Sequence, residues 1–146
     1  VEMERRAMMA DEWVANTRLN INRVMALAKS GNHPEVDAHF KPLIAQTTER
    51  INTLQKDLES AIDSEKGKAL LTDIAAQRKA YIDVRKAYFD TLKAGDTAKA
   101  EAQLREGLLP AVDRYLDSMQ KLRDYEHQLV DEASSFVCGG VPSSRS

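Results

Sequence analysis

Cysteine is all but missing from this chain of 146 residues. Its one instance, Cys138, falls in the run Cys138-Gly139-Gly140-Val141-Pro142-Ser143-Ser144-Arg145-Ser146, which has no periodicity. Residues 136–146 therefore read as an appended, disordered tail, and residues 1–135 as the folded domain. A body without cysteine suits an exported location. Aromatic residues make up only 5% of the chain. No excess of basic charge exists either: the net charge is −2, so the footprint of a nucleic-acid binder is absent. No apolar run approaches the roughly 18–20 residues needed to span a bilayer, and Val1-Glu2-Met3-Glu4-Arg5-Arg6 is not a signal peptide. The chain reads as a soluble domain cut from a longer protein.

Catalytic and cofactor signatures are lacking as well. The three histidines, His33, His39 and His127, lie far apart. Glu35 and His39 stand one helical turn apart, which is the spacing of an ordinary solvated pair. The paired Glu-x-x-His of di-iron bundles and the Cys-x-x-Cys-His that attaches haem do not occur. No nucleophile has a base beside it. The expectation is a protein that is not an enzyme and carries no cofactor or metal.

What the chain does have is helix-forming composition and helical spacing. Met3, Ala7, Ala10, Val14, Thr17, Ile21, Val24 and Ala28 step by three and four, predicting a first helix to about Lys29. Ser30-Gly31-Asn32-His33-Pro34 ends it. A second helix begins near Glu35, tolerates or kinks at Pro42, and carries Val36, Phe40, Leu43, Thr47, Ile51, Leu54, Leu58 and Ile62. A turn over Ser64-Glu65-Lys66-Gly67 leads to a third helix from about Lys68 to Lys93. Ala94-Gly95-Asp96-Thr97 stops it, with Asp96 as N-cap of a fourth helix that Gly107 and Pro110 should kink. No alternating strand pattern appears. The predicted fold is all-α: an antiparallel up-down-up-down four-helix bundle about 40–55 Å long, with both chain ends at one end.

The third helix carries the anomaly. Arg78, Tyr81, Arg85 and Tyr88 fall within about 80° of one face, on the stripe continued by Leu71, Ile74 and Leu92. Its lysines alternate with acids (Lys79, Asp83, Lys86, Asp90, Lys93) and form a solvated ladder. Neither arginine has an acid three or four residues away. Buried charge needs a partner. Reflection through the turns brings Arg18, Thr47, Thr48, Arg78, Tyr81, Arg85, Tyr88 and Tyr115 to similar depth, some 15–25 Å from the end that holds the first and third turns. Arg78 and Arg85 lie about 10 Å apart along the axis and suit a di- or tricarboxylate of roughly four to six carbons. The alternative is that acids such as Asp113 or Glu106 close both arginines. The bundle would then be a structural or protein-binding module.

The segment Arg78-x-x-Tyr81-x-x-x-Arg85, followed by Leu92-Lys93-Ala94-Gly95-Asp96-Thr97-x-x-Ala100-x-x-x-Leu104-x-x-x-Leu108-x-Pro110, resembles the four-helix-bundle sensor domain of bacterial methyl-accepting chemotaxis receptors. Asn16-Thr17-Arg18-Leu19-Asn20-Ile21-Asn22-Arg23-Val24-Met25-Ala26-Leu27 resembles the first helix of that domain, and the likeness covers about residues 5–133. The resemblance implies a periplasmic sensor of an inner-membrane receptor, touching the membrane only through flanking segments, and a homodimer paired through its first helix. In the aspartate-sensing branch, first-helix arginines of both subunits and a fourth-helix threonine hold the ligand. Here Arg18 and Arg23 stand on the first helix, but the body of the fourth has no threonine. That departure favours an acid other than aspartate, held inside one bundle by Arg78, Arg85, Tyr81, Thr47, Thr48, Tyr88, Tyr115 and Arg18. Binding is expected to displace a helix by about 1–2 Å.

Overall fold

A computed structural model describes residues 1–139, with side chains through residue 135. Four rods are present: α1 (Glu2–Lys29), α2 (Pro34–Ala61), α3 (Glu65–Lys93), and a fourth built from α4 (Thr97–Gln103), a π-helical turn (Leu104–Leu108) and α5 (Leu109–Gly139). No strand occurs among the described residues. The fold is the expected up-down-up-down bundle. The tail expected over residues 136–146 lies outside the described side chains, and 140–146 outside the described residues altogether.

The links between rods follow from local chemistry. After Lys29, Gly31 and Asn32 both take left-handed backbone (φ 70° and 62°), and the Asn32 amide donates to the Leu27 carbonyl at 3.0 Å. That closes α1, and Pro34 then opens α2 behind His33, whose Nδ1 accepts the Glu35 amide. The second link is shorter than expected and lies earlier, at Ile62-Asp63-Ser64. Ser64 Oγ caps α3 by accepting the Gly67 amide at 3.1 Å, and it also meets the Tyr125 hydroxyl at 2.8 Å. Gly67 is thus not a break. It is buried in the first turn of α3, where a Cβ would collide with Ile62 and Ser64. Asp96 caps α4 as predicted, accepting the Lys99 amide. The irregularity expected around Gly107 and Pro110 is the π-helical turn itself, one residue wider than an α-turn.

The core is built on Trp13, Leu54, Leu58, Ile74, Leu108, Met119 and Leu122, all nearly inaccessible. The α1 seam is broader than its predicted line. Trp13, Asn20 and Leu27, seven apart, form a second buried row beside it. On α2 only Ile51, Leu54 and Leu58 are fully buried, while Val36, Phe40 and Leu43 stay half-exposed. Packing explains why. The α1 rod lies against α2 and α5, and α3 lies against the fourth rod, but the backbones of α2 and α3 barely approach each other. The bundle therefore has one loose edge, between α2 and α3.

Polar ties set the register. Near the chain ends, Arg6 Nε donates to the fully buried Glu126 at 3.0 Å. Asp11 accepts from Arg123 at 2.6 Å and bonds His127 at 2.7 Å. Further along, Glu12 pairs with Arg50, and Arg23 Nη1 donates to Thr47 Oγ1 at 2.7 Å.

Candidate functional site

The α3 stripe meets the loose edge at mid-bundle. Arg78 crosses that edge: Nη1 donates to Gln55 Oε1 at 2.6 Å and Nη2 to Asn52 Oδ1 at 2.7 Å. Both acceptors are neutral amides on α2. Arg85, two turns further along, lies over the Tyr81 ring with its guanidinium carbon 5.3 Å from the centroid. Among the described residues neither arginine forms an ion pair with a carboxylate. Asp113 and Glu106, the acids that would have closed them, are exposed. The outward ladder pairs as expected at Lys79–Asp83 (3.0 Å) and Lys86–Asp90 (2.9 Å), leaving Lys93 outside it.

Between these side chains lies a cavity of about 70 Å³. Its polar walls are Thr17 and Asn20 of α1, Thr48 of α2, Arg78, Tyr81 and Arg85 of α3, and Tyr115 of α5, with Ile21, Ile51 and Ile82 between them. No acid lines it. Of the eight residues expected at the site, Arg78, Tyr81, Arg85, Thr48 and Tyr115 converge here. Three do not line the cavity. Thr47 faces Arg23, Tyr88 packs edge-on against Phe89 with ring centroids 5.1 Å apart, and Arg18 is exposed on α1.

Thr17 and Asn20 are the polar lining residues that sequence reasoning left out, beside the three isoleucines. Thr17 stands on the α1 seam among aliphatic residues, a signal already present in the sequence. Asn20 lies off the seam, on the second buried row that only packing reveals. It organises the α1–α2 wall: Nδ2 donates to Thr48 Oγ1 at 3.0 Å and to the Ile44 carbonyl at 3.2 Å, while Oδ1 accepts from Arg23 at 3.2 Å.

The hydroxyls are poised to donate. Burial raises the pKa of the Tyr81 and Tyr115 phenols above the usual 10.0, with Arg85 opposing the shift at Tyr81 and Arg78 at Tyr115, so both stay protonated at neutral pH. The rings of Tyr81 and Tyr115 lie 5.5 Å apart at 30°. The Tyr81 hydroxyl and Thr17 Oγ1 are buried without a hydrogen-bond partner, although Tyr81 lies close to Arg85 and Thr17 close to Tyr115. Buried polar atoms are seldom left so. The site therefore combines two cations lacking acidic partners with the Thr17, Thr48, Tyr81 and Tyr115 hydroxyls around one cavity. Groups of this kind can donate several hydrogen bonds to a single anion.

Among the described residues no group of three or more His, Cys, Asp or Glu side chains could hold a metal ion. No helix among them is long and apolar enough to cross a membrane. A search of curated proteins found no match. Comparison with protein families matches residues 15–135 to one described as a four helix bundle sensory module for signal transduction. That span runs from the middle of α1 into the last turns of α5 and includes every residue lining the cavity, and the chain belongs to this family of signal-transduction sensory modules.

Proposed function

We propose that this module senses a small organic acid, a di- or tricarboxylate, held in the cavity by Arg78 and Arg85 with the Tyr81, Tyr115, Thr17 and Thr48 hydroxyls. The observation that carries the reading is the pair of half-buried arginines around a cavity with no acidic wall. Size refines it. A water needs about 10–15 Å³ measured this way, so 70 Å³ holds roughly five waters, fewer than the heavy atoms of a dicarboxylate. A ligand with two carboxylates must therefore draw Arg78 away from Asn52 and Gln55. The loose α2–α3 edge permits that exchange, and an ionised acceptor rewards it, because charge-assisted hydrogen bonds exceed those to neutral amides.

Such an exchange converts ligand binding into movement. Arg78 is a direct polar tie between α3 and α2, while the cavity also borders α1 through Thr17 and Asn20 and α5 through Tyr115. Replacing the tie by a ligand common to all four rods favours a different packing by the difference in affinity. A displacement of about 1–2 Å would suffice. On this reading the domain is periplasmic, its first and last helices lead to membrane-spanning segments, and two copies pair through α1, whose Met8 and Leu19 side chains are exposed.

Calorimetry with malate, succinate, citrate and aspartate tests the proposal. At least one is expected to bind more tightly than millimolar, and Arg85→Ala to weaken it at least tenfold. If none binds more tightly than millimolar, or if Arg85→Ala leaves the affinity of the acid that does bind unchanged, the carboxylate reading falls.

A further inference from the structure

A second and larger recess, about 310 Å³, adjoins the first toward the end with the first and third turns. It exists because the first half of α2 does not sink into the core. Val24 and Leu27 of α1 form its floor, and Ile44 and Phe89 its apolar sides. The charged side chains around it are Lys41, Arg85 and Lys93 against a single acid, Asp37. Among the described residues none of these three cations is ion-paired to a carboxylate, although the other α3 lysines at comparable spacing are.

The charges are not evenly spread. Arg85 and Lys93 are eight residues apart, about 12 Å along the axis. The register in which Arg78 meets Asn52 and Gln55 puts Asp37 beside the Lys93 end, Ile44 close to Arg85 and Lys41 between the two, level with Phe89. Uncompensated positive charge is thus concentrated at the inner end, with aliphatic surface running outward from it. That is the complement of a molecule with one anionic head and an apolar chain.

We propose that this groove binds a medium-chain aliphatic monocarboxylate, its head held by Arg85 and Lys41 and its chain laid along Val24, Leu27 and Phe89. Arg85 lines both recesses. One guanidinium cannot serve two anions fully, so occupancy of the groove weakens binding in the inner cavity, and the reverse holds equally. The groove itself stands without the organic-acid reading of the inner cavity; only the antagonism rests on it.

Octanoate and hexanoate, titrated calorimetrically into the chain, are the probes. Octanoate is expected to bind at one site. Hexanoate, two methylenes shorter, should bind about tenfold more weakly. Ile44→Asp, at a half-exposed position, should remove octanoate binding while leaving the helical circular dichroism unchanged. Lys41→Gln should weaken octanoate three- to tenfold without altering affinity for whichever organic acid fills the inner cavity. That acid, added at saturation, should raise the apparent Kd for octanoate. The proposal is overturned if octanoate gives no binding at millimolar concentration, if both chain lengths bind equally, or if Arg78→Ala abolishes octanoate binding while Ile44→Asp leaves it intact. Octanoate binding without any response to the organic acids would sink the inner-cavity reading alone.

Discussion

Tyr81 buries a hydroxyl with no well-formed protein hydrogen bond, on the wall of a cavity roomy enough for water, and incomplete pairing there costs up to about 1–3 kcal/mol. The core tolerates that cost at a position where the ring already packs against Tyr115 and beneath Arg85. Tyr81→Phe keeps the ring and deletes the stranded oxygen. Chemical denaturation is expected to show unchanged or slightly greater stability, while calorimetry with the bound acid shows about tenfold lower affinity. A residue kept only for packing would change neither. Glu126 is the opposite case, a buried charge that is satisfied. It pairs with Arg6 at 3.0 Å on the seam position that the sequence leaves between Leu122 and Leu129. Glu126→Ala should lower stability by about 3 kcal/mol in urea, because it leaves a mostly buried guanidinium with only the long 3.7 Å contact to the exposed Glu2. Replacing both partners by leucine should recover most of that loss. Arg78 and Arg85 were legible before any coordinates because their own helix offers no acid at three or four residues. Asn20 was not, since its burial depends on how α1 turns toward α2.

Two elements differ in how firmly they are held. The first half of α2 has no fully buried side chain, whereas the first half of α1 is tied to α5 by Arg6–Glu126 and by Asp11 with Arg123 and His127. The Asp11 carboxyl lies below its ordinary pKa of 3.8. Burial alone would raise it, and the hydrogen bonds from His127 and Arg123 outweigh burial. Its contribution to stability is therefore complete above 3.8 and is lost as the pH falls through the lower folded value. The side chains are about two-fifths exposed, so the effect is small, under about 1 kcal/mol. Melting curves of the parent chain and Asp11→Asn should differ at pH 7 and converge in acid, as the pH falls through the lowered folded value. A gap that widened in acid would refute the assignment. The α3 start shows how local signals mislead: Gly67 suggests a break, yet it is glycine because Ile62 and Ser64 leave no room for a Cβ.

For the molecule as a whole, the loose α2–α3 edge couples binding to stability. A ligand bridging α1, α2, α3 and α5 binds only the folded chain. At a hundred times its Kd it should add about 2.7 kcal/mol and raise the Tm by roughly 8–10 °C. A thermal-shift panel of organic acids checks this, and Arg78→Ala should abolish the shift. Heptad spacing, turn residues and the missing acids beside Arg78 and Arg85 are properties of the sequence alone. They determined the number of rods, their antiparallel order and the face that carries the chemistry, because helical periodicity and capping act over a few residues. Tertiary structure decided the rest. Which wall each polar side chain joins depends on the rotation of each rod about its own axis and on the gap left between neighbours. Those follow from the packing of the whole core, which directed Thr47 to Arg23, Tyr88 to Phe89 and Arg18 to the surface, and left the cavity where α2 and α3 stand apart.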